Sequence, residues 1–172
     1  MDLSTQIKEY LPHGLVNLKK RKQTDHIIVT CTDTKPDKLL NIKDIDKLHR
    51  GLGWTKAGYH FLINKFGEIQ KGRELEEHGC HTWGYDDVSV GICLCGGRNT
   101  EGLGTFQSYF DEQLEALVRL LTYVKGFYPD AEVTSQNHLS LDEKPYLDVV
   151  EYKKLRFLML DPNRYEDVTK EV

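Results

Sequence analysis

The sequence predicts an α/β fold: a single domain on one mixed β-sheet, with helices on both faces. Apolar runs rich in β-branched residues alternate along the chain with segments whose apolar residues recur at helical spacing. Turn-forming residues punctuate the boundaries between them. A length of 172 residues with 39% hydrophobic content supplies one sizeable core and is too short for two comfortable domains.

Residues 4–18 place Ile7, Tyr10, Leu11, Leu15 and Val16 at roughly helical spacing around Pro12. This predicts a short broken helix lying on the domain, placed to cover an edge or a groove. His26–Cys31 is a β-branched run between Thr24-Asp25 and Asp33-Thr34-Lys35-Pro36, so it reads as a central strand. Asn41–Leu52 carries Ile42, Ile45, Leu48 and His49 on one stripe, with Gly51 and Gly53 as stop signals, and reads as an amphipathic helix. Tyr59–Asn64 turns at Lys65-Phe66-Gly67 into Glu68–Lys71, a β-hairpin. An acidic loop over 73–79 leads to a second buried strand, Val88–Leu94, which ends at Gly96-Gly97.

After a loop over 98–108, Leu114, Leu117, Val118, Leu121 and Val124 mark a helix from Asp111 that Gly126 closes. Ala131–Ser135 reads as a short strand, 136–145 as a loop, and 149–160 as a last helix stopped by Asp161-Pro162. The division is an N-terminal extension over 1–22, the domain over 23–160 and a charged tail over 161–172.

A net charge of -4 gives no bulk attraction to nucleic acid or to an anionic membrane, and neither is expected as a partner. The run Lys19-Lys20-Arg21-Lys22 reads as a solvated turn after a helix, with an anion site as the alternative. Cys31, Cys80, Cys93 and Cys95 lack paired metal-knuckle spacing and read as reduced, small apolar core residues. The N-terminus has neither a basic start nor an apolar run, and no stretch approaches 18 apolar residues, so the expected location is cytoplasmic.

Two blocks depart from plain core strands. Gly58-Tyr59-His60-Phe61-Leu62-Ile63 opens with a polar aromatic and a His, which a buried strand has no packing reason to carry. The second block starts at Gly79-Cys80-His81-Thr82-Trp83-Gly84-Tyr85-Asp86 and runs through Ser89-Val90-Gly91-Ile92-Cys93-Leu94 to Gly97. In this order and spacing they resemble the zinc-dependent N-acetylmuramoyl-L-alanine amidases of the type-2 amidase family. That family includes phage "lysozymes" that are amidases, and the peptidoglycan recognition proteins. The similarity runs from about Asp25 to about Tyr152.

The resemblance implies metal-assisted hydrolysis of the amide between muramic acid and L-alanine, with two His and one Cys or Asp on zinc and a Tyr beside it. Carried over position by position, the ligand places fall on Thr30, Gln136 and Lys144, and the place of a helper Lys falls on Asp142. Threonine and glutamine are poor replacements for imidazole, and a protonated lysine repels a cation. Tyr59 matches the family's catalytic Tyr and His81 its groove His, which implies groove exposure for His81. Trp83 and Tyr85 are open between groove rim and plain packing. Asp86 stands where the family often has Asn, and His49 and His60 read as satisfied structural residues.

The reading that follows is a catalytically degenerate amidase fold that binds a ligand such as a muropeptide without cleaving it. The candidate ligand-binding residues are Thr30, Tyr59, His81, Trp83, Asp86, Gln136, His138, Asp142 and Lys144. If Lys144 points inward, the pocket offers an ammonium to an anion, which opens a cytosolic decoy that sequesters a nucleotide or another anionic signal. Phage amidases of this type also restrain a polymerase, so a protein partner bound through the N-terminal segment is a further alternative. The last alternative is an active amidase with zinc relocated to His26, His138 and Asp142, although His26 sits ~13 Å back along its strand from the family position. No cofactor is expected except zinc in that last case. Release through host lysis would serve a wall-directed protein without a signal peptide.

Overall fold

The computed structural model describes residues 19–102 and 109–139. The expected N-terminal helix, the last helix and the charged tail lie outside the described residues. In chain order the elements are β1 (His26–Cys31), α1 (Ile42–Gly51), β2 (Phe61–Ile63), β3 (Ile69–Lys71), β4 (Ser89–Leu94), α2 (Asp111–Phe127), β5 (Glu132–Ser135) and the single turn α3 (Gln136–Leu139). The five strands form one mixed sheet in the order β3-β2-β4-β1-β5. Every pairing is parallel except the β2–β3 hairpin.

The period-2 alternation of a strand splits the sheet into two faces. On one, Ile27, Val29, Cys31, Phe61, Ile63, Val90, Ile92 and Leu94 pack against Leu114, Leu117, Val118, Leu121 and Val124 of α2. On the other, Leu62, Cys93 and Cys95 meet Ile45 of α1 and Ala57. Both faces of β1 and β4 are therefore buried, which explains their continuous apolar runs.

Helix α1 starts where its sequence says. The Asn41 side chain accepts from the amides of Lys43 (2.9 Å) and Asp44 (3.2 Å), and Asp44 Oδ2 accepts from the Asn41 amide at 2.9 Å. This reciprocal box satisfies amides that a helix N-terminus leaves unpaired. Helix α2 is tied to the sheet by the buried Gln113, whose Nε2 donates to the Cys95 carbonyl at 2.7 Å.

Four details depart from the sequence reading. Gly126 lies inside α2, which continues to Phe127 with Tyr128 as its cap, because packing of the apolar stripe outweighs the cost of one helical glycine. The stretch expected as a loop from Gln136 begins with the turn α3. Cys80 is half-exposed and the other three cysteines are buried; none of the four forms a disulfide. Arg21 is not a solvated turn residue: its guanidinium donates to the carbonyls of Glu77 (2.6 Å) and Leu75 (2.7 Å) and lies over the Tyr128 ring.

Arg21 is one of three cations that hold the 73–79 segment. Lys56, almost wholly buried, pairs with Glu77 at 2.8 Å, and Arg73 donates to the carbonyls of Ala57 and His78, both at 2.8 Å. Gly58 sits where this region meets the next loop, and a Cβ there would lie 1.9 Å from the Cys80 carbonyl oxygen. Backbone cannot yield as a flexible side chain can. Gly58→Ala is expected to destabilise the fold by ~1–3 kcal/mol, as overpacking does, read as a lowered melting midpoint.

Candidate functional site

Strands β1, β4 and β5 are parallel, so their carboxyl ends lie at the same edge of the sheet, where α/β proteins build their clefts. On the face shared with α1, Thr30 of β1 stands beside Cys93 of β4 in register, and Gln136 follows β5 directly. The Thr30 hydroxyl donates to Gln136 Oε1 at 2.5 Å. Gln136 Nε2 then donates to the His81 carbonyl at 3.0 Å. One side chain thus joins β1, the end of β5 and the loop before β4.

Tyr59 stands beside this chain of bonds, with the His81 ring behind it. Tyr59 is half-buried just before β2, its ring 5.6 Å from His49 and 6.4 Å from His81. Its hydroxyl hydrogen-bonds with the Cys93 thiol, which brings the phenol to the strand next to Thr30. Cys93 is wholly buried in the core cluster of this face, as its sequence suggests, and it meets Tyr59 because it stands level with Thr30 in the sheet.

His81 corrects an expectation. Its side chain is 0% exposed and does not line an open groove. The imidazole lies flat over two glycines: a Cβ on Gly91 would come within 2.4 Å of its Cδ2, and one on Gly79 within 2.6 Å. Nδ1 is 2.9 Å from the Thr82 hydroxyl, while Nε2 has no hydrogen-bond partner among the described residues. Burial drives the pKa down to about 4; Asp86 opposes the shift, and Arg73, Arg21 and His78 add to it.

His60 and His49 are satisfied structural residues, as the sequence suggests. Gly91 N donates to His60 Nδ1 at 2.9 Å, which leaves the proton on Nε2 to donate to the Glu77 carbonyl at 2.8 Å. Burial pushes the His60 pKa well down, in keeping with that neutral ring. His49 Nδ1 accepts from the Gly58 amide at 2.9 Å.

The loop from His81 to Val88 is knotted by Asp86. Its Oδ1 accepts from the amides of His81 (2.6 Å) and Thr82 (2.8 Å), so the carboxylate faces the loop backbone rather than standing free on the rim. Tyr85 is half-buried, edge-on to His26 at 5.5 Å, whereas Trp83 is 95% exposed. His138 is exposed on α3, and Asp142 and Lys144 lie outside the described residues. His26 Nδ1 lies 3.8 Å from Glu132 Oε2, at the opposite end of β1 from Thr30.

Among the described residues, no group of three or more His, Cys, Asp or Glu side chains is placed to hold a metal ion. Thr30 and Gln136 offer a neutral hydroxyl and a neutral amide oxygen already bonded to each other. That pair does not fit the imidazole, thiolate and carboxylate donors that zinc takes.

A family model described as N-acetylmuramoyl-L-alanine amidase matches residues 20–145. The chain belongs to that amidase family. It is 31% identical over 139 residues to the endolysin of Enterobacteria phage K11, covering 81% of this chain and 91% of that protein. To the endolysin of Escherichia phage T7 it is 33% identical over 135 residues, covering 78% and 88% respectively. A solved complex of tracheal cytotoxin with the ectodomains of peptidoglycan recognition proteins LCa and LCx shares the fold, with a TM-score of 0.68 at 21% identity over 80% of this chain and 88% of that one. The expected family and the mixed sheet with helices on both faces are both found.

Two outcomes follow for this member of the amidase family. Gln136→Leu removes both of its bonds and leaves the Thr30 hydroxyl and the His81 carbonyl unpaired, so a loss of ~1–3 kcal/mol is expected in denaturant unfolding. His81 stays neutral in the folded protein down to about pH 4, whereas in the unfolded chain it takes a proton near pH 6.5. The unfolded state then binds more protons between those values, so stability present above pH 6.5 falls by up to ~1.4 kcal/mol per pH unit as pH drops to about 4. Imidazole nitrogen shifts recorded by NMR at pH 5.5 should report a neutral His81.

Proposed function

We propose that the chain binds peptidoglycan fragments in the cleft between Thr30, Gln136, Tyr59 and the 79–88 loop, and does not hydrolyse them. Membership of the amidase family and similarity to phage endolysins support the wall-derived ligand class. The solved relative bound to tracheal cytotoxin supports small fragments as occupants of this fold. The observation that carries the non-hydrolytic half is the hydrogen bond from Thr30 to Gln136. These residues stand at two of the places where the family resemblance puts zinc ligands, and each satisfies the other without a cation.

The chemistry of the cleft suits holding. Gln136 and Tyr59, each part-exposed, bring a neutral carboxamide and a neutral phenol that exchange hydrogen bonds with the amides of a muropeptide. Neither lowers the pKa of a bound water as a metal does. Lys144, at the third ligand place in the sequence, adds a positive charge where the chemistry of the family needs a cation ligand. No hydrolytic step is assigned to these residues.

The test uses the purified full-length protein, incubated with excess zinc, desalted and assayed for metal. Zinc is expected well below one equivalent. Insoluble peptidoglycan should retain the protein, and no new L-alanine amino termini should appear on prolonged incubation. One equivalent of zinc together with released amino termini would overturn the non-hydrolytic reading, and failure of retention would overturn the binding one.

A further inference from the structure

Trp83 is 95% exposed, while His81, two residues earlier, has no exposed side chain at all. A large indole held almost wholly in water offers its ring face to a partner. This loop is also held firmly. Asp86 accepts from two of its amides, Tyr85 N donates to the Thr82 carbonyl at 3.0 Å, Val88 N donates to the Tyr85 carbonyl at 3.1 Å, and Gln136 holds the His81 carbonyl. The buried imidazole is its root and Trp83 is its tip.

We propose that Trp83, on the 79–88 loop, is a stacking platform for a sugar ring of the glycan strand. The inference rests on the peptidoglycan-binding reading above and adds a residue and a substrate class to it. A pyranose presents a flat face of C–H groups, weakly positive and apolar, which complements the negative face of an indole. The surroundings select against other occupants. Asp87 is exposed beside the loop and the chain carries a net charge of -4, which disfavours anionic lipid and phosphate-rich polymers. One isolated ring matches a ring-sized partner, whereas a stable protein interface needs a far larger contact. The anchoring means that little ordering cost falls on binding.

Retention on insoluble peptidoglycan and titration with a soluble N-acetylglucosamine oligosaccharide test this on the full chain. Trp83→Ala should weaken both by about tenfold, the cost of truncating a central aromatic contact. Trp83→Phe should recover part of the loss, and a free stem peptide should bind the parent and Trp83→Ala alike. Because Trp83 is 95% exposed, the melting midpoint of Trp83→Ala should match the parent, which separates lost contact from lost fold. In a Trp54→Phe background the remaining indole should shift its fluorescence on adding oligosaccharide and not on adding stem peptide. Equal binding by parent and Trp83→Ala overturns the stacking platform and leaves the binding reading standing. A parent that fails to bind peptidoglycan overturns both.

Discussion

A single carboxamide holds the cleft together. Gln136 accepts a hydrogen bond from Thr30 with its oxygen and donates one to the His81 carbonyl with its nitrogen, so three chain segments far apart in sequence meet at one side chain. A bound metal ion can supply such a cross-link through charge. Here the link is directional and neutral. Its strength depends on the exclusion of water, which the buried His81 ring and the closed face of β1 and β4 provide.

The cleft is built on close contacts that only small groups permit. His81 and His60 both sit against Gly91, one ring stacked over its Cα and the other accepting from its amide. Two imidazoles crowded at one backbone position cannot both ionise at reasonable cost, and burial keeps them neutral. The 73–79 segment, bound by Arg21, Lys56 and Arg73, closes the space behind them. The positive charge of Arg21, Lys56 and Arg73 is thus engaged by backbone carbonyls and by Glu77.

Much of the fold was legible because local signals and burial agreed. The β-branched run at His26–Cys31, the Asn41 cap and the Gly67 turn each had a local physical cause, and each element formed where that cause put it. The end of α2 was misjudged because tertiary packing carried the helix through Gly126. At the site, residue types were readable and their relations were not. Thr30 and Gln136 are 106 positions apart in sequence, and nothing local announces that they are partners. His81 was placed in an open groove by resemblance, whereas the bareness of Gly79 and Gly91 lets it sink out of solvent. Trp83 could not be settled from sequence, since exposure depends on which way a short turn faces.

The cysteines carry one more implication. None of the four is in a disulfide, three are buried, and burial pushes the Cys93 pKa well up and that of Cys95 up to about 12. Thiols so reluctant to ionise are poor nucleophiles toward disulfides and peroxides. No covalent bridge braces the sheet, and none is required for its shape. The sheet accordingly offers a reductant no covalent bridge to break.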